Sequence, residues 1–185
     1  MLRHRLVADF SSHTVYRSFV NHSNFFIADT DFFFPMGIGL NFYGVPVVGL
    51  KTQGDDIVAA LDSGSHENII AEAVLPQVSP NHHYTGEQTD TVCYTCTVKS
   101  KEVEAEFSLL GVNNDGNEKI YNKVSDHFLV VKSHIFFREQ PENTQQEDHL
   151  PPVNALIGSN FMNSNGWILD FGAQFIYKRH APLSA

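Results

Sequence analysis

Asp62-Ser63-Gly64-Ser65 is the stretch of this 185-residue chain whose residue types and order are best suited to chemistry. A carboxylate follows the apolar run Ile57-Val58-Ala59-Ala60-Leu61, so a buried strand would fix Asp62 in place. A small hydroxyl beside it can bond neighbouring backbone, and Gly64 permits close approach of chain or substrate. One carboxylate held in this way does little alone. Two close together cannot both ionise easily, so one stays protonated as an acid while the other activates water. The tetrapeptide by itself also spells an ordinary turn.

Other reactive groups fit their chemistries less well. His66, His82, His83, His127 and His134, among 10 histidines, show no H-E-x-x-H or other ligand spacing, so no metal site is expected. Ser63 or Ser65 next to His66 lacks the G-x-S-x-G elbow of a serine hydrolase. Cys93 and Cys96 lie in a β-branched and aromatic run, Thr91 to Val98, where positions three apart face opposite ways. They read as two unreactive thiols. Glu102, Glu104 and Glu106 alternate with Val103, Ala105 and Phe107, the pattern of a strand with one wet and one packed face. Asn113-Asn114-Asp115-Gly116-Asn117 lacks the full spacing of a calcium loop and reads as a turn. No cofactor is implied by any of these groups.

The elements that must position Asp62 are mainly β. Val45 to Leu50, a polar turn over Thr52-Gln53-Gly54-Asp55, and Ile57 to Leu61 predict a hairpin leading into the carboxylate. A short helical or irregular piece, Ala71 to Leu75, is expected to stop at Pro76. Ser79 to Asp90 reads as a loop or hairpin tip. Thr91–Val98 and Glu102–Leu109 read as strands separated by Lys99-Ser100-Lys101. Phe128 to Val131 and Ile135 to Phe137 read as buried strands, and Arg138 to Pro152 as an exposed loop. Val153 to Gly158 reads as a short strand closing on glycine, and Gly166–Phe171 with Gln174–Tyr177 as a terminal hairpin. Residues 1–43, with Phe25-Phe26-Ile27 and Phe32-Phe33-Phe34 around Asp29-Thr30-Asp31, differ in composition and are expected to form an arm, a dimer element or a propeptide.

Composition narrows the partners. Charged residues make up 18% and hydrophobic residues 42%, with 15 Phe, which describes a folding, aromatic-rich chain of one domain. A net charge of −9 with only 12 Lys+Arg argues against nucleic acid and anionic membrane, both of which call for a basic surface. No apolar run approaches the ~20 residues of a membrane span. Met1 to Ser12 has no continuous apolar core of the signal-peptide kind, so the expected compartment is the cytoplasm.

Taken together, three segments resemble the retropepsin-like aspartic proteases, the single-lobe class that includes retroviral proteases and related bacterial proteins. Gly44 to Leu50 with Asp56 to Ser65 resembles the family's opening hairpin and its Asp-Thr/Ser-Gly-Ala/Ser signature. Ala155-Leu156-Ile157-Gly158-Ser159-Asn160-Phe161-Met162 is similar to its hydrophobic-hydrophobic-Gly strand and following helix, and Asn165 to Phe171 to the closing strands of bacterial members. The order agrees, with a predicted hairpin between the first two, and the resemblance covers roughly residues 44–178.

The resemblance implies a mainly β, single-lobe acid-protease barrel with one or two short helices, spanning residues 44–180. It makes Asp62 the catalytic carboxylate and gives Ser63 the task of bracing paired loops. Gly64 would supply the tight approach, and Ser65 would orient the carboxylate. Leu156, Ile157 and Gly158 would thread behind the Asp loop in a psi-shaped core. A flap would lie between Asn81 and Thr91, with Tyr84, Thr85 and Gly86 near its tip. Asn160 departs from the Asp that many members carry, and the flap segment has fewer glycines than retroviral flaps. The implied activity is endoproteolysis of an extended peptide or protein substrate. Neither Asp170, in Leu-Asp-Phe-Gly, nor Asp29-Thr30-Asp31 carries the hydroxyl-Gly pair, so the second carboxylate would come from Asp62 of another copy in a homodimer. Two further readings are a catalytically silent peptide-binding module on the same fold and a structural β domain in which Asp62 caps a turn.

Overall fold

The computed structural model of the chain describes residues 4–10, 14–19, 32–37, 39–40, 46–92, 97–112, 119–132, 153–171 and 175–178. Cys93, Cys96, the Asn113–Asn117 turn, Ile135 to Phe137, the Arg138–Pro152 loop, Phe25 to Asp31 and His134 lie outside the described residues. The described chain is mainly β, with two short helices. Its strands are β1 (His4–Asp9), β2 (Thr14–Phe19), β3 (Phe32–Gly37), β4 (Gly39–Leu40), β5 (Pro46–Leu50), β6 (Ile57–Asp62), β7 (Asn68–Ala71), β8 (His83–Val92), β9 (Thr97–Val112), β10 (Lys119–Val131), β11 (Val153–Gly158), β12 (Trp167–Asp170) and β13 (Phe175–Lys178). The helices are α1 (Leu75–Val78) and α2 (Ser159–Ser164).

Eight strands form a mixed sheet in the order β4-β5-β6-β11-β7-β10-β9-β8, and Leu50 of β5 also pairs with Leu109 of β9, which folds the sheet back on itself. That approach is close: a Cβ on Gly49 would lie 2.9 Å from Leu110 Cβ. Five strands form a second, antiparallel sheet in the order β2-β1-β12-β13-β3. The C-terminal hairpin β12–β13 is therefore flanked on both sides by strands from residues 1–43, and β4 pairs with the start of β5.

The two sheets share one core. Leu50, Leu61, Ile70, Phe107, Phe128 and Ile157 of the larger sheet pack with Trp167, Leu169 and Ile176 of the smaller, and Ala8 and Phe10 pack against the same cluster. Phe107 meets Phe128 edge to face at 5.0 Å, and Phe161 of α2 meets Trp167 edge to face at 5.2 Å. Each such buried ring stabilises the fold by roughly 2–3 kcal/mol through burial. Along β9, Val103, Ala105, Phe107 and Leu109 are buried while Glu102, Glu104 and Glu106 are exposed, the expected division of a strand into a packed and a wet face.

Two local expectations are corrected. Lys99-Ser100-Lys101 does not separate two strands, because β9 runs unbroken from Thr97 to Val112. The polar trio is satisfied across the β8–β9 pairing: Lys99 pairs with Asp90, the buried Ser100 shares a hydrogen bond with the Thr91 hydroxyl, and Lys101 Nζ sits 5.5 Å from the Tyr84 ring centroid. Pro76 opens a helix instead of ending one. It occupies the first turn of α1, where an N–H would have no intrahelical acceptor.

Candidate active site

β6 reaches Asp62 as an interior strand, antiparallel to β5 and parallel to β11. Its buried Ala59, Ala60 and Leu61 hold the end of the strand rigid, and Asp62 itself is half-buried. The chain then turns over the exposed Ser63 and Gly64. Gly64 N–H donates to Asp62 Oδ1 at 2.8 Å and Ser65 N–H donates to the Asp62 carbonyl at 3.2 Å. In this Asx-type turn one carboxylate oxygen of Asp62 is held by the backbone. A Cβ on Gly64 would lie 3.2 Å from Asp62 Oδ1, so the small residue makes room for the carboxylate.

β11 passes between β6 and β7, parallel to the first and antiparallel to the second. Its Leu156, Ile157 and Gly158 run opposite Ala60, Leu61 and Asp62, which brings the predicted supporting strand and the predicted acid together. A Cβ on Gly158 would lie 2.5 Å from the Glu67 carbonyl oxygen and 2.7 Å from that of His66, so only glycine fits beneath the loop. The start of α2 then grips the loop. Ser159 donates from both N–H and Oγ to the Ser65 carbonyl, at 2.8 and 2.9 Å, and Asn160 N–H donates to the His66 carbonyl at 3.2 Å. Amides that a helix start leaves without intrahelical acceptors are thereby satisfied by the catalytic-loop candidate.

Ser65 does not bond the Asp62 side chain. Its hydroxyl donates to the Glu67 carbonyl at 2.7 Å and shapes the loop's exit. Asn160 Nδ2 donates to Glu67 Oε1 at 3.2 Å, an interaction that a carboxylate at position 160 would replace with repulsion. Asn68, which the sequence reading did not single out, is 4% exposed and accepts the Gly158 N–H at 2.9 Å. Its signal in the sequence was a lone polar residue opening the apolar run Asn68-Ile69-Ile70, which alternation alone leaves indistinguishable from an exposed strand start.

Tyr84, Thr85 and Gly86 lie inside β8, not at a turn. Between Tyr84 and Gln88 the β8–β9 register shifts, with two more residues on β8 than on β9, so Gly86 sits in a bulge. β8 continues past Gly86 to Val92, which corrects the expected tip at Gly86. The sequence hid this because a glycine in a strand bulge and a glycine in a turn read alike. Tyr84 is 48% exposed, with the His82 ring edge-on at 5.7 Å.

Among the described residues no group of three or more His, Cys, Asp and Glu side chains is placed to hold a metal. The glutamate row instead meets cations and imidazoles across the sheet: Glu106 pairs with Lys123, Glu104 with His83 at 2.9 Å, and Glu102 with His127 at 3.1 Å. Asp170 is buried on β12, opposite Val7 in the smaller sheet. No helix among the described residues is long and apolar enough to cross a membrane. No protein-family model matches the chain, and comparison with curated proteins finds no significant match.

Proposed function

We propose that the chain is one subunit of a homodimeric, retropepsin-like aspartic endopeptidase built on a single-lobe acid-protease barrel. The observation that carries this reading is the threading of β11 between β6 and β7, with Gly158 seated under a loop that presents a half-buried Asp62 carboxylate. Two such loops meeting about a two-fold axis would place two Asp62 carboxylates side by side, with the exposed Ser63 hydroxyls free to brace them.

One proton shared by the pair leaves one carboxylate charged and one neutral. The charged carboxylate takes a proton from water as the oxygen attacks the peptide carbonyl carbon, and the neutral one donates its proton to the carbonyl oxygen. Collapse of the tetrahedral intermediate returns a proton to the departing amine nitrogen and breaks the C–N bond. The β8–β9 hairpin is the element available to cover an extended substrate over the loops.

The test is cleavage of an unstructured protein from acidic to neutral pH by wild type and Asp62→Asn, with and without a transition-state-mimic inhibitor of aspartic proteases. Cleavage that is abolished by Asp62→Asn and by the inhibitor is expected, and cleavage that survives the substitution overturns the mechanism. Tight peptide binding with no cleavage by either protein would favour the silent module. Sedimentation under assay conditions tests the dimer separately.

A further inference from the structure

We infer that Asn68 is a positioning residue for Asp62, an assignment that rests on the endopeptidase reading. The backbone pairing of β7 with β11 runs through Ala155↔Ile70 and Leu156↔Ile69 and goes no further. Beyond it the chain on the β7 side belongs to the 62–67 loop, whose His66 and Glu67 carbonyls pack against Gly158. At that point the Asn68 side chain takes over the ladder, its Oδ1 accepting the Gly158 N–H at 2.9 Å in a buried hydrogen bond. Gly158 is the residue paired with Asp62 across β6 and β11.

The other end of the amide is equally committed. Asn68 Nδ2 donates to the His127 carbonyl at 3.0 Å and to Asp126 Oδ2 at 3.2 Å, while Asp126 Oδ1 accepts the His127 N–H at 2.8 Å. Both donors and the acceptor of the amide are used, so its orientation is fixed by its partners. One buried side chain thus ties the strand leaving the catalytic loop, the strand beneath that loop, and β10, which pairs with the long strand of the β8–β9 hairpin. A buried, fully satisfied amide of this kind rigidifies its surroundings, and small misplacements of a reacting group are costly to rate.

Asn68→Asp is isosteric but turns an oxygen toward the Asp126 carboxylate and the His127 carbonyl. In the folded, full-length protein we expect kcat on an unstructured protein substrate to fall roughly 100-fold with KM changed less than about 3-fold, the pattern of lost transition-state alignment. Asn68→Asp combined with Asp126→Asn places a donor on the opposite side and should recover about tenfold of the lost kcat, a coupling expected only of contacting residues. Wild-type kcat in folded Asn68→Asp, or no recovery in the double variant, overturns the assignment.

Two readouts stand apart from proteolysis. Hydrogen exchange at the Gly158 amide should accelerate in Asn68→Ser while amides in the middle of β9 and β10 keep their protection, and the NMR chemical shifts of the Asp62 side-chain carboxyl and of the Gly64 amide that donates to it should move. If the wild type cleaves nothing, the endopeptidase reading fails, yet these readouts still decide the role of Asn68. Unchanged Gly158 exchange, or unchanged chemical shifts at the Asp62 carboxyl and the Gly64 amide, would remove Asn68 from the positioning of Asp62.

Discussion

Gly158 lies directly across the parallel β6–β11 ladder from Asp62, with two loop carbonyls packed where its side chain would be. Gly158→Ala would force a methyl group to within 2.5 Å of the Glu67 carbonyl oxygen, and backbone cannot swing aside as a side-chain end can. The expected result is a loss of about 1–3 kcal/mol in denaturant unfolding, as for other overpacked sites. If the proposed endopeptidase function holds, cleavage should fall well beyond the unfolded fraction, because the displaced carbonyls belong to the loop that carries Asp62.

Asp62→Asn should separate chemistry from folding. An amide oxygen at this position can still accept the Gly64 N–H, so thermal unfolding is expected within about 0.5 kcal/mol of wild type, the usual range for a partly exposed substitution. Activity should vanish. In the wild type, the proposed function expects kcat/KM to follow a bell in pH, since a paired-carboxylate mechanism needs one proton on the pair: it fails when both are protonated and when both are ionised. A profile with a single limb would be incompatible with a paired-carboxylate mechanism.

The apolar patterning carried much of this architecture into view. Ile57 to Leu61 and Ala155 to Gly158 are short, continuous apolar runs, and such runs belong to strands buried on both faces, as the interior strands β6 and β11 largely are. Glu102 to Phe107 announced its wet and packed faces by alternation. Pairing was harder to foresee. Nothing in a linear pattern tells β1 to add to β12 or β3 to β13, because strand partners far apart in the chain are chosen by the shared core they complete. Asn68 was illegible for a related reason: its partners lie on Gly158 and on residues 126–127, and only the assembled sheet brings them to its side chain.

The glutamate row on β9 should prove dispensable. Glu102, Glu104 and Glu106 face solvent and pair with partners whose side chains are themselves half exposed or more. Exposed pairs of this kind contribute on the order of 0–1 kcal/mol. Replacing all three with Gln is expected to leave unfolding within about 1 kcal/mol of wild type and proteolysis unchanged. A divalent cation that stabilised the wild type and not this variant would reveal a role for the row that its ion pairs do not suggest.

Trp167, the single tryptophan of the chain, offers an optical report on the support beneath the site. It is buried with the Phe161 ring edge-on at 5.2 Å, and Phe161 lies on the helix whose first residues grip the Asp62 loop. Phe161→Ala should cost about 3–5 kcal/mol and leave a cavity beside the indole. A red-shifted tryptophan emission together with lowered activity is expected, because slack in α2 loosens the bonds from Ser159 and Asn160 to the loop. Emission that shifts while kcat stays at the wild-type value would show that the grip of α2 on the loop does not matter to the chemistry.

Deletion of residues 1–40 tests whether the N-terminal region is removable. β1 and β3 bracket the C-terminal hairpin, the Phe10 N–H donates to the Trp167 carbonyl at 2.9 Å, and Ala8 and Phe10 pack against the main core cluster. A propeptide that is shed on activation would leave a complete fold behind. Here its loss would bare both edges of β12–β13 and the side of β5 paired with β4, and unpaired edges beside an opened core invite aggregation. The truncated chain is therefore expected to lose on the order of 3 kcal/mol or more of stability and to aggregate in size-exclusion chromatography. A truncated protein that stays monodisperse and cleaves as fast as the full chain would make residues 1–40 a dispensable arm.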